Sequence, residues 1–134
     1  MNLVDVIIPT YKPDNRFLTS IKRLLAQSVK PGKIIIINTD KSIWDKSGIE
    51  ENIRELFYGS EVNLYIEHIL KSDFDHGAAR NLGVSKSDAK YFICMTQDAR
   101  PKDGRLFSNL LSPFNDEKVA IAYAKQETDE KAGE

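Results

Sequence analysis

Ile34-Ile35-Ile36-Ile37-Asn38-Thr39-Asp40 is the stretch on which the fold turns. Successive side chains of a strand point to opposite faces, so an unbroken run of isoleucines needs apolar contacts on both sides. That calls for a strand of a parallel sheet with helices over each face. The polar triplet Asn38-Thr39-Asp40 then stands at the strand's carboxyl end, where open α/β sheets bind their ligands.

The rest of the chain repeats this pattern on either side. Residues 4–8 form a β-branched run closed by Pro9, which reads as a first buried strand. Asp14 is placed to cap a helix whose apolar stripe is Phe17, Leu18, Ile21, Leu24 and Leu25, ended by Pro31-Gly32. After the isoleucine strand, Asp40-Lys41-Ser42 reads as a polar turn. Ser47 with Glu50 is a capping-box signal for a helix carrying Ile49, Ile53, Leu56 and Phe57, closed by Tyr58-Gly59-Ser60. A third strand is expected over 62–67, a Gly/Ala-rich helix from near Asp75 to near Ser85, and a fourth strand over 90–95. Leu106, Phe107, Leu110 and Leu111 mark a helix stopped by Pro113; a fifth strand over 119–124 and a solvated acidic tail complete the chain. Strands alternating with helices predict an α/β fold: a mainly parallel sheet, helices on both faces, right-handed crossovers.

Length and composition bound the function. A chain of 134 residues, 41% hydrophobic and 29% charged, suits one globular domain. Its formal net charge of -1 supplies no broad field for nucleic acid or an anionic membrane, so any anion site must be local. The single cysteine, Cys94, sits in an apolar run as a small buried hydrophobe and excludes an intrachain disulfide. Asp5 interrupts the N-terminal apolar stretch, and no run reaches the roughly 20 apolar residues of a membrane span. A cytoplasmic protein is expected, with peripheral membrane attachment left to any later segment.

The glycine-rich dinucleotide fingerprint and the P-loop both need glycines directly after a strand; the first turn here is Pro9-Thr10-Tyr11-Lys12-Pro13. A nucleotide held by such a sheet would have its diphosphate neutralised in another way, most simply by a divalent cation. Asp98, after the fourth strand in Thr96-Gln97-Asp98-Ala99, is a candidate Mg²⁺ or Mn²⁺ ligand, or else a residue that steadies its turn. His76 and Arg80 share a helix face; either they meet an anion at the helix start while Gly77 to Ala79 admit the ligand, or Gly77 to Ala79 pack on the sheet and His76 and Arg80 are ordinary solvated residues. Thr39 and Asp40 either meet a base or ribose or form a polar turn. Trp44 either stacks on a base or sugar or serves as a hydrophobic staple ahead of a helix, and His68 reads as solvated surface.

Four stretches in order, Val6-Ile7-Ile8-Pro9-Thr10-Tyr11, residues 34–40, Phe74-Asp75-His76-Gly77-Ala78-Ala79-Arg80-Asn81-Leu82-Gly83 and Thr96-Gln97-Asp98-Ala99, resemble glycosyltransferase family 2, above all its rhamnosyltransferase-like branch. The resemblance implies a GT-A fold, Rossmann-like and of the nucleotide-diphospho-sugar transferase type, incomplete at the C-terminus. It implies that residues 1–126 are the nucleotide-sugar-binding part and 127–134 an acidic tail or the start of a continuation. Pro9, Thr10 and Tyr11 would line the nucleotide pocket, Thr39 and Asp40 would read the base, His76 and Arg80 would face sugar and diphosphate, and Gln97 and Asp98 would complete the site, Asp98 as the metal ligand. The implied donor is a UDP- or dTDP-linked sugar, the acceptor a saccharide or a lipid-linked one, and the reaction an inverting transfer. Thr96 stands where the family's metal motif has its first aspartate, and the family's general base falls on a later segment, so no catalytic residue is assigned. The rival reading is a noncatalytic module that binds a nucleotide sugar or a protein. A sugar-phosphate nucleotidyltransferase, the third reading, would carry a Gly-rich basic N-terminal loop that this sequence lacks.

Overall fold

The computed structural model describes residues 4–73, 76–99, 101 and 104–111, except for the side chains of Asp73, His76 and Leu111. The elements run β1 (Val4–Tyr11), α1 (Asn15–Leu25), β2 (Lys33–Thr39), α2 (Lys41–Ser47), α3 (Ile49–Leu56), β3 (Asn63–Ile69), a 3-10 turn at Lys71–Asp73, α4 (His76–Ser85), β4 (Tyr91–Cys94) and α5 (Leu106–Leu111). The four strands form one parallel sheet in the order β3-β2-β1-β4. The expected fifth strand, the Pro113 stop and the acidic tail lie outside the described residues.

The isoleucines of β2 divide by parity, as a strand's period requires. Ile34 and Ile36 join Val6, Ile8, Phe17, Ile21, Leu24, Trp44, Ile49, Ile53, Val62 and Phe107 beneath α1, α2, α3 and α5. Ile35 and Ile37 join Ile7 and Ala79 beneath α4. All four isoleucines are fully buried, and both faces carry helices. On the α4 face the contact is unusually close: a Cβ on Gly83 would lie 2.4 Å from Cγ2 of Ile7.

Several local expectations change. β1 does not stop before Pro9 but continues to Tyr11 in register with β2. The Ile7 carbonyl accepts from Met95 N–H on the β4 side, so Pro9, two residues on, faces the same edge, past the last residue that β4 pairs with β1. A residue without an N–H breaks no ladder bond there. Helix α1 is capped by Asp14, whose carboxylate accepts from Arg16 N–H at 3.0 Å, but it ends at Leu25, well before Pro31. The turn read at residues 40–42 instead begins the unforeseen helix α2, which carries too few apolar residues for a visible stripe. Ser47 closes α2 instead of opening a capping box: its hydroxyl donates to the Trp44 carbonyl and accepts from Ile49 N–H, while Gly48 makes the left-handed link to α3. Cys94 is exposed, not buried, because β4 turns Phe92 and Cys94 outward and Ile93 inward.

Candidate functional site

The strand order fixes where a ligand can enter. From β1 the chain winds outward to β2 and β3, then returns to place β4 on the other side of β1. The strand order reverses at β1, with α1 over one face of the sheet and α4 over the other, and the crevice beyond the carboxyl ends of β1 and β4 is the usual ligand site of a parallel sheet. Tyr11 ends β1 at this place. Its N–H, on the side that β4 no longer pairs, donates to Oε1 of Gln97 at 2.7 Å. One hydrogen bond thus ties the β1 end to the turn after β4.

Asp98 is the next residue in that turn. A backbone bond, Ala99 N–H to the Thr96 carbonyl at 3.1 Å, closes the turn. The Asp98 side chain is exposed and, among the described residues, has no partner. No group of three or more His, Cys, Asp or Glu side chains converges among the described residues. An exposed carboxylate is nonetheless a donor that Mg²⁺ or Mn²⁺ accepts, since these ions take one or two protein carboxylates and complete their shells with phosphate and water.

Tyr11 is 38% exposed, with the Lys12 ammonium 5.2 Å and the Lys71 ammonium 5.7 Å from its ring centre. Two cations from different segments therefore flank the aromatic at the switch point, a feature that single-residue reading of the sequence passed over. Thr39, in register with Tyr11, is 1% exposed, and its hydroxyl is without a hydrogen-bond partner among the described residues. Asp40 caps α2: one carboxylate oxygen accepts from both the N–H and the hydroxyl of Ser42 at 3.1 Å. Pro9 is half-buried along β1 and Thr10 is buried at 2%.

His76 opens α4, so the N-terminal end of that helix lies at the carboxyl edge of the sheet. Arg80, one turn later, is exposed, close enough to Cys94 for its charge to oppose the rise that partial desolvation imposes on the thiol pKa. Of the small residues ahead of it, Ala79 packs on the sheet whereas Gly77 and Ala78 are exposed. The packing reading of this segment thus holds for Ala79 alone of these three residues.

Sequence reasoning missed a polar row on the opposite face. Thr10, Asn38 and His68 are in register across β1, β2 and β3, directly beyond the apolar rows Val6-Ile34-Leu64 and Ile8-Ile36-Ile66. The Thr10 hydroxyl donates to Oδ1 of Asn38 at 2.8 Å, and Nδ2 of Asn38 meets Nδ1 of His68 at 3.1 Å. His68 is therefore not simple solvated surface. Its ring meets Trp44 edge-on, with centroids 5.3 Å apart. Trp44 is itself no staple ahead of a helix but a buried residue within α2 whose indole N–H donates to Glu50 at 3.0 Å. Burial, and next the charge of Lys41, hold the His68 pKa below the ordinary histidine value, against Asp45 and Glu50. A recess lined by Leu25, Lys30, Tyr58, Gly59, Ser60 and Glu61 includes none of these strand-end residues.

Comparison with known proteins bears on the family and the fold. Residues 5–132 match the profile of Glycosyl transferase family 2. Over 124 residues the chain is 32% identical to the O-antigen chain rhamnosyltransferase RfbN of Salmonella typhimurium, covering 92% of this chain and 37% of that protein. It is 26% identical over 123 residues to the O-antigen chain rhamnosyltransferase WbaN of Salmonella anatum, with 90% and 36% covered. The chain thus spans just over a third of the length of these relatives. Among solved structures, residues 1–349 of S. aureus TarS superpose with a TM-score of 0.60 at 16% identity, over 86% of this chain and 32% of that one. The same fragment in complex with UDP gives 0.57 at 15% identity, over 86% and 32%. These structures bear on the fold alone, which is the GT-A α/β type. With the family profile matched over nearly its whole length, the chain belongs to glycosyl transferase family 2.

Proposed function

We propose that this chain, through residues 1–126, is the donor-binding part of an inverting glycosyltransferase that takes a UDP- or dTDP-linked sugar. The observation that carries this reading is the bond from Tyr11 N–H to Gln97, which joins the β1 end to the turn bearing Asp98 at the switch point of the sheet. The base lies against Tyr11, with Lys12 and Lys71 on either side contributing positive charge near the phosphates. The unpartnered Thr39 hydroxyl is a group that a base or ribose can satisfy, and Asp40 follows it. Arg80 and the α4 N-terminus, headed by His76, would meet the diphosphate, and Asp98 would hold Mg²⁺ or Mn²⁺.

When bound, the cation stabilises the negative charge that grows on the departing diphosphate. The chain's own residues hold the donor so that an acceptor hydroxyl can attack the anomeric carbon from the opposite side, inverting it. The relatives' names suggest rhamnose as the sugar and a saccharide or lipid-linked acceptor. The general base is not among the residues assigned here. No helix among the described residues is long and apolar enough to cross a membrane, and a nucleotide-sugar donor suits a cytoplasmic setting.

Calorimetry with UDP- and dTDP-linked sugars, in Mn²⁺ or Mg²⁺ and again in chelator, tests this reading. Binding is expected to require the metal, and Asp98→Ala to abolish that requirement together with most of the affinity. Equal affinity with and without chelator would remove the metal role of Asp98, and no binding of either nucleotide class would remove the function.

A further inference from the structure

The Thr10-Asn38-His68 row has a polarity. The Thr10 hydroxyl spends its one proton on Asn38 Oδ1, so the other end of that amide, a donor, faces His68 Nδ1. Nδ1 must then be an acceptor, with the ring neutral and its proton on Nε2. A proton on Nδ1 would set donor against donor. Thr10 and Asn38 are 2% and 0% exposed, so little water is at hand to relieve the mismatch. The relief within the row is for the Asn38 amide to turn over, giving its oxygen to His68 and its nitrogen to Thr10, whose hydroxyl then accepts and must send its proton elsewhere. Both ends of the rearrangement adjoin the crevice: Thr10 precedes Tyr11, and Asn38 precedes Thr39 and Asp40.

The charged groups acting on the ring come from two packed helices. Lys41 and Asp45 of α2 are paired with each other at 2.6 Å, and Glu50 of α3 is paired with Arg54. The carboxylates oppose the lysine, which leaves burial as the main influence, and burial favours the neutral ring.

We propose that His68 is a positioning residue of the donor site: neutral, it sets the hydrogen-bond polarity of the Thr10-Asn38-His68 row, and its protonation reverses that row and weakens donor binding. This rests on the donor-binding reading above. If only the neutral form is competent, the apparent Kd rises toward acid, approaching about tenfold per pH unit below the histidine's pKa.

The test is titration of the full chain with UDP-glucose and dTDP-rhamnose, whose diphosphates do not titrate in the range, between about pH 5.5 and about pH 8. His68→Gln keeps an acceptor for Asn38 but cannot take up the proton; His68→Phe has no acceptor. The wild-type Kd is expected to rise toward acid, with the His68→Gln Kd nearly constant and the His68→Phe Kd raised throughout. ¹⁵N shifts of the imidazole are expected to show Nδ1 unprotonated at neutral pH. Identical pH profiles for the wild-type chain and His68→Gln overturn the proposal while leaving the donor site standing, as does wild-type affinity in His68→Phe. Absence of binding by every chain at every pH overturns the donor site and the proposal with it. Should His68→Phe fail to fold, the glutamine comparison still decides.

Discussion

Replacing Gly83 by alanine tests the contact that seats α4 on the sheet. The new Cβ would lie 2.4 Å from Cγ2, 3.3 Å from Cγ1 and 3.4 Å from Cβ of Ile7. Carbon atoms in good contact are about 3.5–4.0 Å apart, so the closest pair overlaps by more than about 1 Å. Ile7 has little room to yield: it is fully buried in the central strand β1, and its γ-branch is stiff at χ1. The helix must lift instead. Overpacking of this kind costs about 1–3 kcal/mol, against about 1 kcal/mol gained by alanine over glycine inside a helix. The net expectation is a loss of up to about 2 kcal/mol, measured by urea unfolding of the full chain. Ile7→Ala alone should cost about 2–5 kcal/mol, but less in the Gly83→Ala background, because the added methyl fills part of the space the γ-carbons leave. The double-mutant cycle should therefore show a favourable coupling of at least about 1 kcal/mol. Stabilisation by Gly83→Ala alone, or additivity within about 0.5 kcal/mol, would refute the close approach of helix and strand.

Asp14→Ala should cost about 1 kcal/mol of stability through loss of the α1 cap, read as a lower urea midpoint with an unchanged slope. Trp44→Ala should cost about 3–5 kcal/mol, since it empties a fully buried site and frees Glu50 from the indole N–H. Stability should also fall on acidification below about pH 6.5, the ordinary histidine value. The folded-state pKa of His68 is lowered, so the unfolded chain binds the proton more readily; this contribution is present above that pH and is lost as the pH falls through the folded value. Urea midpoints across pH, compared with His68→Gln, check the sign. Gln97→Ala should weaken donor binding by more than it lowers stability, because the Tyr11 N–H it satisfies lies at an exposed strand end.

Much of the molecule was legible without coordinates because it depends on short-range periodicity. The isoleucine run announced a strand covered on both faces, and Ile34 and Ile36 indeed pack against one helical layer while Ile35 and Ile37 pack against the other. Asp14 behaves as the cap its side chain and position suggest. What failed locally had competing physics. Pro9 looked like a strand stop because a proline lacks a donor, yet it falls where no neighbouring strand asks for one. Ser47 and Glu50 had capping-box spacing, but the Glu50 carboxylate is taken by Trp44 and Arg54. Helix α2 has seven residues, too short for a period to emerge from the sequence.

The candidate site divides in the same way. Residue types at strand ends, the proline-threonine-tyrosine turn, the absence of phosphate-cradling glycines and the lone aspartate after the fourth strand are properties of the sequence itself; the strand-helix alternation predicts the α/β sheet, and the resemblance of four stretches to glycosyltransferase family 2 points to the family. Which of these residues meet is a matter of register and strand order. Only the order β3-β2-β1-β4 brings Tyr11 to Gln97 across a sequence separation of 86, and only the parallel register aligns Thr10, Asn38 and His68 in one row. A hydrogen bond has a reach of about 3 Å, whereas the chain separations here leave the partners unconstrained until the sheet forms. Side-chain chemistry is written along the sequence, but its pairing is set by long-range contacts.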